Sequence, residues 1–173
     1  MGDFWVFGYG SLIWRPGFAH TRTVRARVHG FRRALCVRSF VHRGTPERPG
    51  LVLGLDRGGS CIGLAFQVPD ELREEVMAYL RERELVTQVY RERLLPISLP
   101  SGERTEAVCY VVDRRHEQYA GALDAEEAAA YVRGAVGRSG PNEEYVLNTV
   151  EHLRALGIRD HWLEDVAERL GTA

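Results

Sequence analysis

The first residues that could do chemistry are Gly8-Tyr9-Gly10-Ser11-Leu12, which follow an aromatic and β-branched run that begins at residue 4. The run is typical of a buried strand, and the glycines predict that the strand ends here. Because glycine has no side chain and adopts backbone angles closed to other residues, such an ending can turn several backbone N–H groups toward one point. A concave array of N–H groups binds an anion such as a carboxylate. The alternative is an ordinary glycine-rich turn.

Two better-known glycine motifs do not fit this stretch. The dinucleotide-binding fingerprint needs a third glycine, where this chain has Ile13, and an acidic residue about twenty positions later. No Asp or Glu occurs between Asp3 and Glu47. The nucleophile elbow of hydrolases needs a glycine two positions before its serine, where this chain has Tyr9. Both motifs are therefore excluded.

The second candidate is the carboxylate of Glu84, at the end of a helix predicted over residues 70–84. At about 100° per residue, one arc of this helix collects the apolar side chains. These are Leu72, Val76, Met77, Tyr79 and Leu80. Glu84 lies inside that arc, and so does Arg83. The other glutamates lie outside it and are predicted to be solvated, at Glu71, Glu74, Glu75 and Glu82.

An inward-facing Glu84 suits acid–base chemistry. Burial disfavours the charged carboxylate and the negative end of the helix dipole lies nearby, so both effects raise its pKa. A carboxylate with a raised pKa can act as a general base near neutral pH. The alternative is that the helix ends before Glu84, which then pairs with Arg83.

Periodicity and turn residues predict the elements that position these candidates. After the opening run, strands are predicted at 21–28, 33–40, 51–55, 62–68, 91–99 and 106–112, with a turn at 56–60. Helices are predicted to start at Pro69 and at the caps Asp124, Asn142 and Asp160. This order favours an α+β fold with a mixed, barrel-like β-sheet and packed helices. With no repeat and no linker, residues 1–173 are expected to form a single domain.

The composition is that of a globular protein, with 173 residues of which 45% are hydrophobic and 27% charged. Cys36, Cys61 and Cys109 lie far apart in strand-like segments, which predicts buried apolar side chains rather than disulfides or a zinc site. The 6 histidines show no i, i+4 pair and no nearby ligand cluster. We therefore expect no metal and no other cofactor.

The chain carries no sign of a membrane partner. No basic segment precedes the apolar run at Phe4, as it would in a signal peptide, and no apolar run approaches the length that spans a bilayer. A cytoplasmic location is therefore expected.

Charge is unevenly distributed, although the net charge is −1. Between Arg15 and Arg43 the chain has arginines and no carboxylate. This basic segment could contact nucleic acid, attract a small anionic substrate or be neutralised by the acidic C-terminal half. We favour neutralisation and predict no nucleic-acid partner, because the arginines come without aromatic residues spaced for stacking.

Several segments carry a family resemblance that extends from about residue 4 to residue 158. They are 9–18 (YGSLIWRPGF), 29–33 (HGFRR), 39–45 (SFVHRGT), 49–52 (PGLV), 79–84 (YLRERE) and 142–145 (NEEY). Together these segments resemble the ChaC-like γ-glutamylcyclotransferases, and the first two are specific in combination. The resemblance implies the cyclotransferase fold of that family.

The resemblance also implies an activity and roles for individual residues. The family cleaves glutathione into 5-oxoproline and cysteinylglycine, so glutathione is the implied small-molecule partner and a glutathione-specific lyase the implied enzyme. Glu84 occupies the position of the family's catalytic glutamate. Tyr145 corresponds to a late tyrosine that hydrogen-bonds the glutamyl moiety, the alternative being a core tyrosine. Arg43 lies in the matched loop, where it could pair with a substrate carboxylate or brace the loop.

Two other functions stay open at this point. The chain could be a cyclotransferase for other γ-glutamyl amines or dipeptides, since the sequence defines the glutamyl end of the substrate better than the leaving group. It could also be a non-catalytic binding module of the same fold, although the presence of Glu84 argues against this. The sequence makes no prediction of oligomeric state.

Overall fold

Five strands close into a barrel in the computed structural model, which describes residues 2–171. In barrel order, β1 is followed by β3, β2, β4 and β5. The strands are β1 (Phe4–Gly8), β2 (Arg22–Ser39), β3 (Gly50–Val68), β4 (Tyr90–Ser98) and β5 (Arg104–Val112). β1 is antiparallel to β3 and parallel to β5, and β4 pairs with β5 as an antiparallel hairpin. The whole of β1 is buried, as its aromatic and β-branched residues predict.

The helices after residue 69 follow the predicted order along the chain, whereas the short helix at Ser11–Trp14 is not among the predicted ones. The helices are α1 (Ser11–Trp14), α2 (Arg73–Glu84, after a 3-10 turn at Asp70–Leu72), α3 (Ala125–Val132), α4 (Asn142–Ala155) and α5 (His161–Leu170). A small hairpin of β6 (Val136–Gly137) and β7 (Gly140–Pro141) precedes α4. The predicted α+β class with a barrel-like mixed sheet is confirmed.

Two long strands replace pairs of short strands that the sequence predicts. β2 is continuous through Gly30, whose φ is +87°, and β3 is continuous through Gly58 and Gly59, whose φ values are +107° and +68°. Because glycine adopts these angles without a side-chain clash, the strand can bend there while its ladder continues. The predictions of separate strands and of a turn at 56–60 are therefore wrong.

Two of the three predicted helix caps are confirmed. The Asp124 side chain accepts from the Glu127 N–H in a capping box, and the Asp160 side chain accepts from the Leu163 N–H. Asn142 is not a cap, because α4 begins at that residue. Its fully buried amide instead exchanges two hydrogen bonds with the backbone of Leu51, at 2.8 and 2.9 Å.

Internal contacts divide the chain into two compact units. The first unit extends to Arg33 and continues from Leu55 to Asp113, and the second covers Ala34–Gly54 and the chain from Arg114 onward. In the first unit, α2 contributes to an apolar cluster with residues of β1, α1, β3 and β5. The members of this cluster are Phe4, Val6, Leu12, Val68, Val76, Met77, Leu80, Val108 and Tyr110. In the second unit, α3 and α4 each pack against α5.

Within residues 2–171, no helix combines the length and the hydropathy that crossing a membrane requires. Within the described residues, Cys36, Cys61 and Cys109 form no disulfide, and their side chains are buried, as their strand-like segments predict. Burial raises the pKa of the Cys109 thiol far above its ordinary value, which keeps it protonated and unreactive.

Candidate active site

Glu84 is the last residue of α2, and its side chain turns inward. Val76, Met77 and Leu80 on the same face are buried, and 15% of the Glu84 side chain is exposed. The helical pattern therefore places Glu84 correctly. The four glutamates predicted to face solvent, Glu71, Glu74, Glu75 and Glu82, are all exposed.

The environment of Glu84 raises its pKa above the ordinary value of a glutamate. Loss of water around the carboxylate is the larger cause, and the positive charge of Arg83 opposes it in part. The Arg83 Nε lies 3.7 Å from the Glu84 Oε1. A partly desolvated carboxylate with a raised pKa is a stronger proton acceptor than a solvated one, which is the property a general base needs.

The glycine stretch joins the end of β1 to the start of α1. Tyr9, Gly10 and Leu12 are buried, whereas Ser11 is exposed. The Gly10 carbonyl accepts a hydrogen bond from the Ile13 N–H at 2.8 Å. The N–H groups of Ser11 and Leu12 belong to the first helical turn, where no earlier carbonyl of the same helix can accept them. They are among the N–H groups, those of Tyr9 to Leu12, for which the sequence predicts anion binding.

A buried arginine that the sequence analysis did not single out holds this turn. Arg33 is 6% exposed, and it donates to the Tyr9 and Ile62 carbonyls at 2.7 Å each. The strand β3 also approaches closely, since a Cβ on Gly63 would lie 2.2 Å from the Gly8 carbonyl oxygen. The arginine-rich composition of this segment gave no sign that one arginine would be buried.

A second arginine, Arg83, connects the turn to Glu84. Its Nη2 donates to the Ser11 Oγ at 3.0 Å, and its Nη1 donates to the Tyr79 hydroxyl at 3.1 Å and the Pro16 carbonyl at 3.2 Å. The structure thus links Glu84 with the candidate binding turn through a single side chain. Helical spacing places Arg83 on the apolar arc, but it gives no sign of these partners.

A third cluster lies around Glu92 on β4 and was also missed. Arg81 donates two hydrogen bonds to Glu92, each of 3.0 Å, and the hydroxyl of Tyr110 donates a third at 3.0 Å. The hydrogen bonds from Arg81 are the main reason why the pKa of Glu92 is lowered. Burial, followed by the charge of Glu92, raises the pKa of Tyr110, and the charge of Glu84 contributes to that rise. A strand pattern carries no signal for this pairing with a helix.

The other two predicted site residues, Arg43 and Tyr145, belong to the second unit. The Arg43 Nη1 donates to the Pro141 carbonyl at 3.1 Å, and its guanidinium lies 5.4 Å from the centre of the Tyr145 ring. The Tyr145 hydroxyl accepts from the Leu53 N–H at 3.0 Å. The structure thus brings these two residues into contact. The hydrogen bond from Arg43 joins its loop to Pro141 of β7.

The loop that carries Arg43 is tightly packed within the second unit. The Val41 and His42 carbonyls accept from the Arg138 and Ser139 N–H groups at 2.8 and 2.9 Å. A Cβ on Gly137 would lie 2.5 Å from the Val41 carbonyl oxygen. Such approaches leave no room for a larger residue, so the hairpin of β6 and β7 fixes the loop.

Comparison with known proteins assigns the chain to a family. A family model described as ChaC-like protein matches residues 4–173. The chain belongs to the ChaC-like family. It is 33% identical over 165 residues to the glutathione-specific gamma-glutamylcyclotransferase of Escherichia coli (strain K12), covering 95% of this chain and 71% of that protein. It is 34% identical over 175 residues to the glutathione-specific gamma-glutamylcyclotransferase 1 of Mus musculus, covering 97% and 78%.

A solved structure supports the same assignment. The selenomethionine-labelled γ-glutamyl cyclotransferase specific to glutathione from yeast matches with a TM-score of 0.86 and 25% identity. The match covers 99% of this chain and 97% of that one. This chain therefore has the same fold as that yeast enzyme.

Proposed function

We propose that this chain is a glutathione-specific γ-glutamylcyclotransferase, a lyase that converts glutathione into 5-oxoproline and cysteinylglycine. The observation that carries the proposal is the desolvated Glu84 carboxylate at the end of α2, linked to the glycine turn by Arg83. The relatives from Escherichia coli and Mus musculus are named for this activity.

In the proposed reaction the substrate supplies its own nucleophile. The α-ammonium group first gives a proton to Glu84, and the resulting amine attacks the γ-carbonyl carbon. A carbon–nitrogen bond forms and closes the five-membered ring, and the bond from that carbon to the cysteinyl nitrogen breaks. Glu84 gives its proton to the departing cysteinyl nitrogen, and the regenerated carboxylate then passes on the excess proton that the ring nitrogen still carries. Cysteinylglycine therefore leaves with a protonated amino group, the ring nitrogen keeps one proton, and Glu84 ends as a carboxylate. Because the attack is intramolecular, much of the entropic barrier is avoided once the substrate is held folded.

The residues Tyr9–Leu12 are proposed to hold the glutamyl end of the substrate. Backbone N–H groups at the start of α1 would bind a carboxylate, and the same array could polarise the reacting carbonyl. The support is the turn itself, with buried Tyr9 and Gly10 fixed by the hydrogen bond from Arg33 to the Tyr9 carbonyl. The mechanism uses no metal and no other cofactor.

Roles for Arg43 and Tyr145 follow from the family resemblance and remain proposals. Tyr145 would hydrogen-bond the glutamyl moiety, and Arg43 would pair with a substrate carboxylate. A guanidinium has five N–H donors, so the contact of Arg43 with the Pro141 carbonyl is compatible with a second partner.

We also propose that residues 1–173 work as one domain, because one family model spans 4–173. The protein is further proposed to act in the cytoplasm, where glutathione is abundant.

The experiment that tests this proposal supplies the purified protein with three substrates. With reduced glutathione, equal amounts of 5-oxoproline and cysteinylglycine should form, whereas α-linked Glu-Cys-Gly should not react. A γ-glutamyl dipeptide without the cysteinylglycine end should react poorly. Faster turnover of the dipeptide would favour the broader cyclotransferase, and binding of glutathione without product would indicate a non-catalytic module.

A further inference from the structure

The guanidinium of Arg83 is engaged on several sides. In addition to Ser11 and Tyr79, its Nη1 donates to the carbonyls of Arg15 and Pro16. These acceptors extend from the first residue of α1 to the segment after that helix. One side chain of α2 therefore holds the whole turn from Ser11 to Pro16, and 20% of it remains exposed.

The contact with Tyr79 is itself constrained by the backbone. A Cβ on Gly17, whose φ is +74°, would lie 2.0 Å from the Tyr79 hydroxyl oxygen. The hydroxyl therefore lies against a bare stretch of main chain and has little room to move. This geometry orients Tyr79 toward Arg83.

Resting on the function proposed above, we propose that Arg83 is a positioning residue: it fixes the Ser11–Pro16 turn against the end of α2 and places a positive charge beside the Glu84 carboxylate. Arg83 then has two separable effects. Its hydrogen bonds set the position of the Ser11–Pro16 turn relative to Glu84. This turn includes Ser11 and Leu12, whose N–H groups are proposed to bind the substrate. Its charge keeps a desolvated carboxylate ionised over a wider range of pH.

The other charged groups of this region do not replace Arg83. Arg81, two residues earlier on the same helix, donates two hydrogen bonds to Glu92 of β4. Tyr110 of β5 interacts electrostatically with Glu84, and its hydroxyl donates to the same Glu92. Since Arg83 is the cation that acts on Glu84, it opposes the rise in pKa that burial causes.

The geometry requires an arginine and not merely a cation. A guanidinium presents five donors in a rigid fork, whereas a lysine presents a compact charge on a flexible stem. Arg83→Lys should therefore keep most of the charge effect and lose the fixed turn. Arg83→Met keeps a long apolar stem and loses both.

The test compares Arg83→Met and Arg83→Lys with the wild type, and Arg73→Met is the matched control. Arg73 lies on the same helix, pairs with Asp70 and covers the Phe4 ring. For each variant we would measure the dependence of kcat/KM on pH, the melting temperature and the pH titration of the ¹³C-labelled Glu84 carboxyl. The titration uses no substrate, so it measures the effect of the Arg83 charge on Glu84 whether or not the protein turns over glutathione. A wild-type protein that does not turn over glutathione would refute the proposed function and leave this test intact.

In Arg83→Met, kcat/KM should fall by up to about 100-fold, because small displacements of reacting groups have costs of that order. The acid limb of its profile and the Glu84 titration should both move to higher pH. In Arg83→Lys the acid limb should lie close to that of the wild type, whereas kcat/KM should stay reduced. Arg73→Met should have the acid limb and the kcat/KM of the wild type. The proposal is overturned if the Glu84 titration and the acid limb stay in place in Arg83→Met, or if Arg83→Lys has the wild-type rate. Should Arg83→Met not fold, Arg83→Gln is measured by the same criteria.

Discussion

Glu84 and Glu92 lie in the same unit of the molecule, and their surroundings act on them in opposite directions. At the end of α2, Glu84 loses water and has its cation at 3.7 Å, so its pKa rises. On β4, Glu92 accepts three hydrogen bonds of 3.0 Å, two from Arg81 and one from Tyr110, and its pKa falls. A carboxylate whose oxygens accept several hydrogen bonds stabilises the fold in its charged form, whereas one with few donors around it takes a proton more readily.

The difference extends to stability. Because the folded-state pKa of Glu84 is raised, its contribution to stability is lost as pH rises through that pKa. The folded-state pKa of Glu92 is lowered, so its contribution is lost as pH falls through that pKa. At neutral pH, Glu84 therefore costs stability and Glu92 provides it, which is the pattern expected when one is retained for chemistry.

The largest effect is expected from Glu84→Gln. This change keeps the shape of the side chain and removes the base, so turnover of glutathione should fall by about 10²–10⁴-fold. Removing a desolvated charge should leave the melting temperature equal to or above that of the wild type. The matched control is Glu82→Gln on the same helix, whose exposed side chain should make it silent. If Glu84→Gln retains most of its activity, or if Glu82→Gln is the inactive variant, Glu84 is not the base.

The next effect is expected at the glycine turn, the part of the site that Arg83 connects to Glu84. Gly10 is buried just before α1, and Gly10→Val places a branched side chain on the backbone face offered to the substrate. KM for glutathione should rise strongly while the Glu84 titration stays close to that of the wild type. An unchanged KM in a folded Gly10→Val protein would remove the turn from the binding site.

Glu92→Gln should do the reverse of Glu84→Gln: it should lower stability and leave turnover nearly unchanged. Losing charge-assisted hydrogen bonds that are partly exposed should reduce the free energy of unfolding by about 1–2 kcal/mol. Turnover should stay within about twofold of the wild type, since a factor of two is only about 0.4 kcal/mol in the barrier. Chemical denaturation and steady-state kinetics on one sample measure both quantities. A stable but inactive Glu92→Gln would reverse the roles assigned to the two glutamates.

The smallest effect is expected from metal removal. The proposed proton transfers need only Glu84 and the substrate, so turnover in excess EDTA should equal turnover in buffer. Activity that is lost in EDTA and restored by a divalent cation would contradict this mechanism.

The sequence predicted these regions unequally, for physical reasons. Helical periodicity sets the direction of every side chain on α2, so the burial of Glu84 could be predicted from spacing alone. The partners of Arg83 depend on where α1 packs against α2. The spacing of residues along the chain carries no information about that packing. The pairing of Glu92 with Arg81 joins a strand to a helix and leaves no local pattern.

The errors in the fold have a similar origin. Gly58 and Gly59 have the composition of a turn, but the strand ladder continues through them. Asn142 has the side chain of a helix cap, but hydrogen bonds to the distant backbone of Leu51 take precedence. In both places tertiary contacts outweigh a local preference. Arg43 and Tyr145 were identified through family resemblance, since neither shows a pattern of its own.

Their surroundings shift the pKa values of Glu84 and Glu92 in opposite directions. The most direct measurement is the pH titration of both ¹³C-labelled side-chain carboxyl groups in the folded wild-type protein, observed by NMR and assigned with Glu84→Gln and Glu92→Gln. Glu84 should titrate above the ordinary value of a glutamate and Glu92 below it. Equal midpoints, or a lower midpoint for Glu84 than for Glu92, would contradict this prediction.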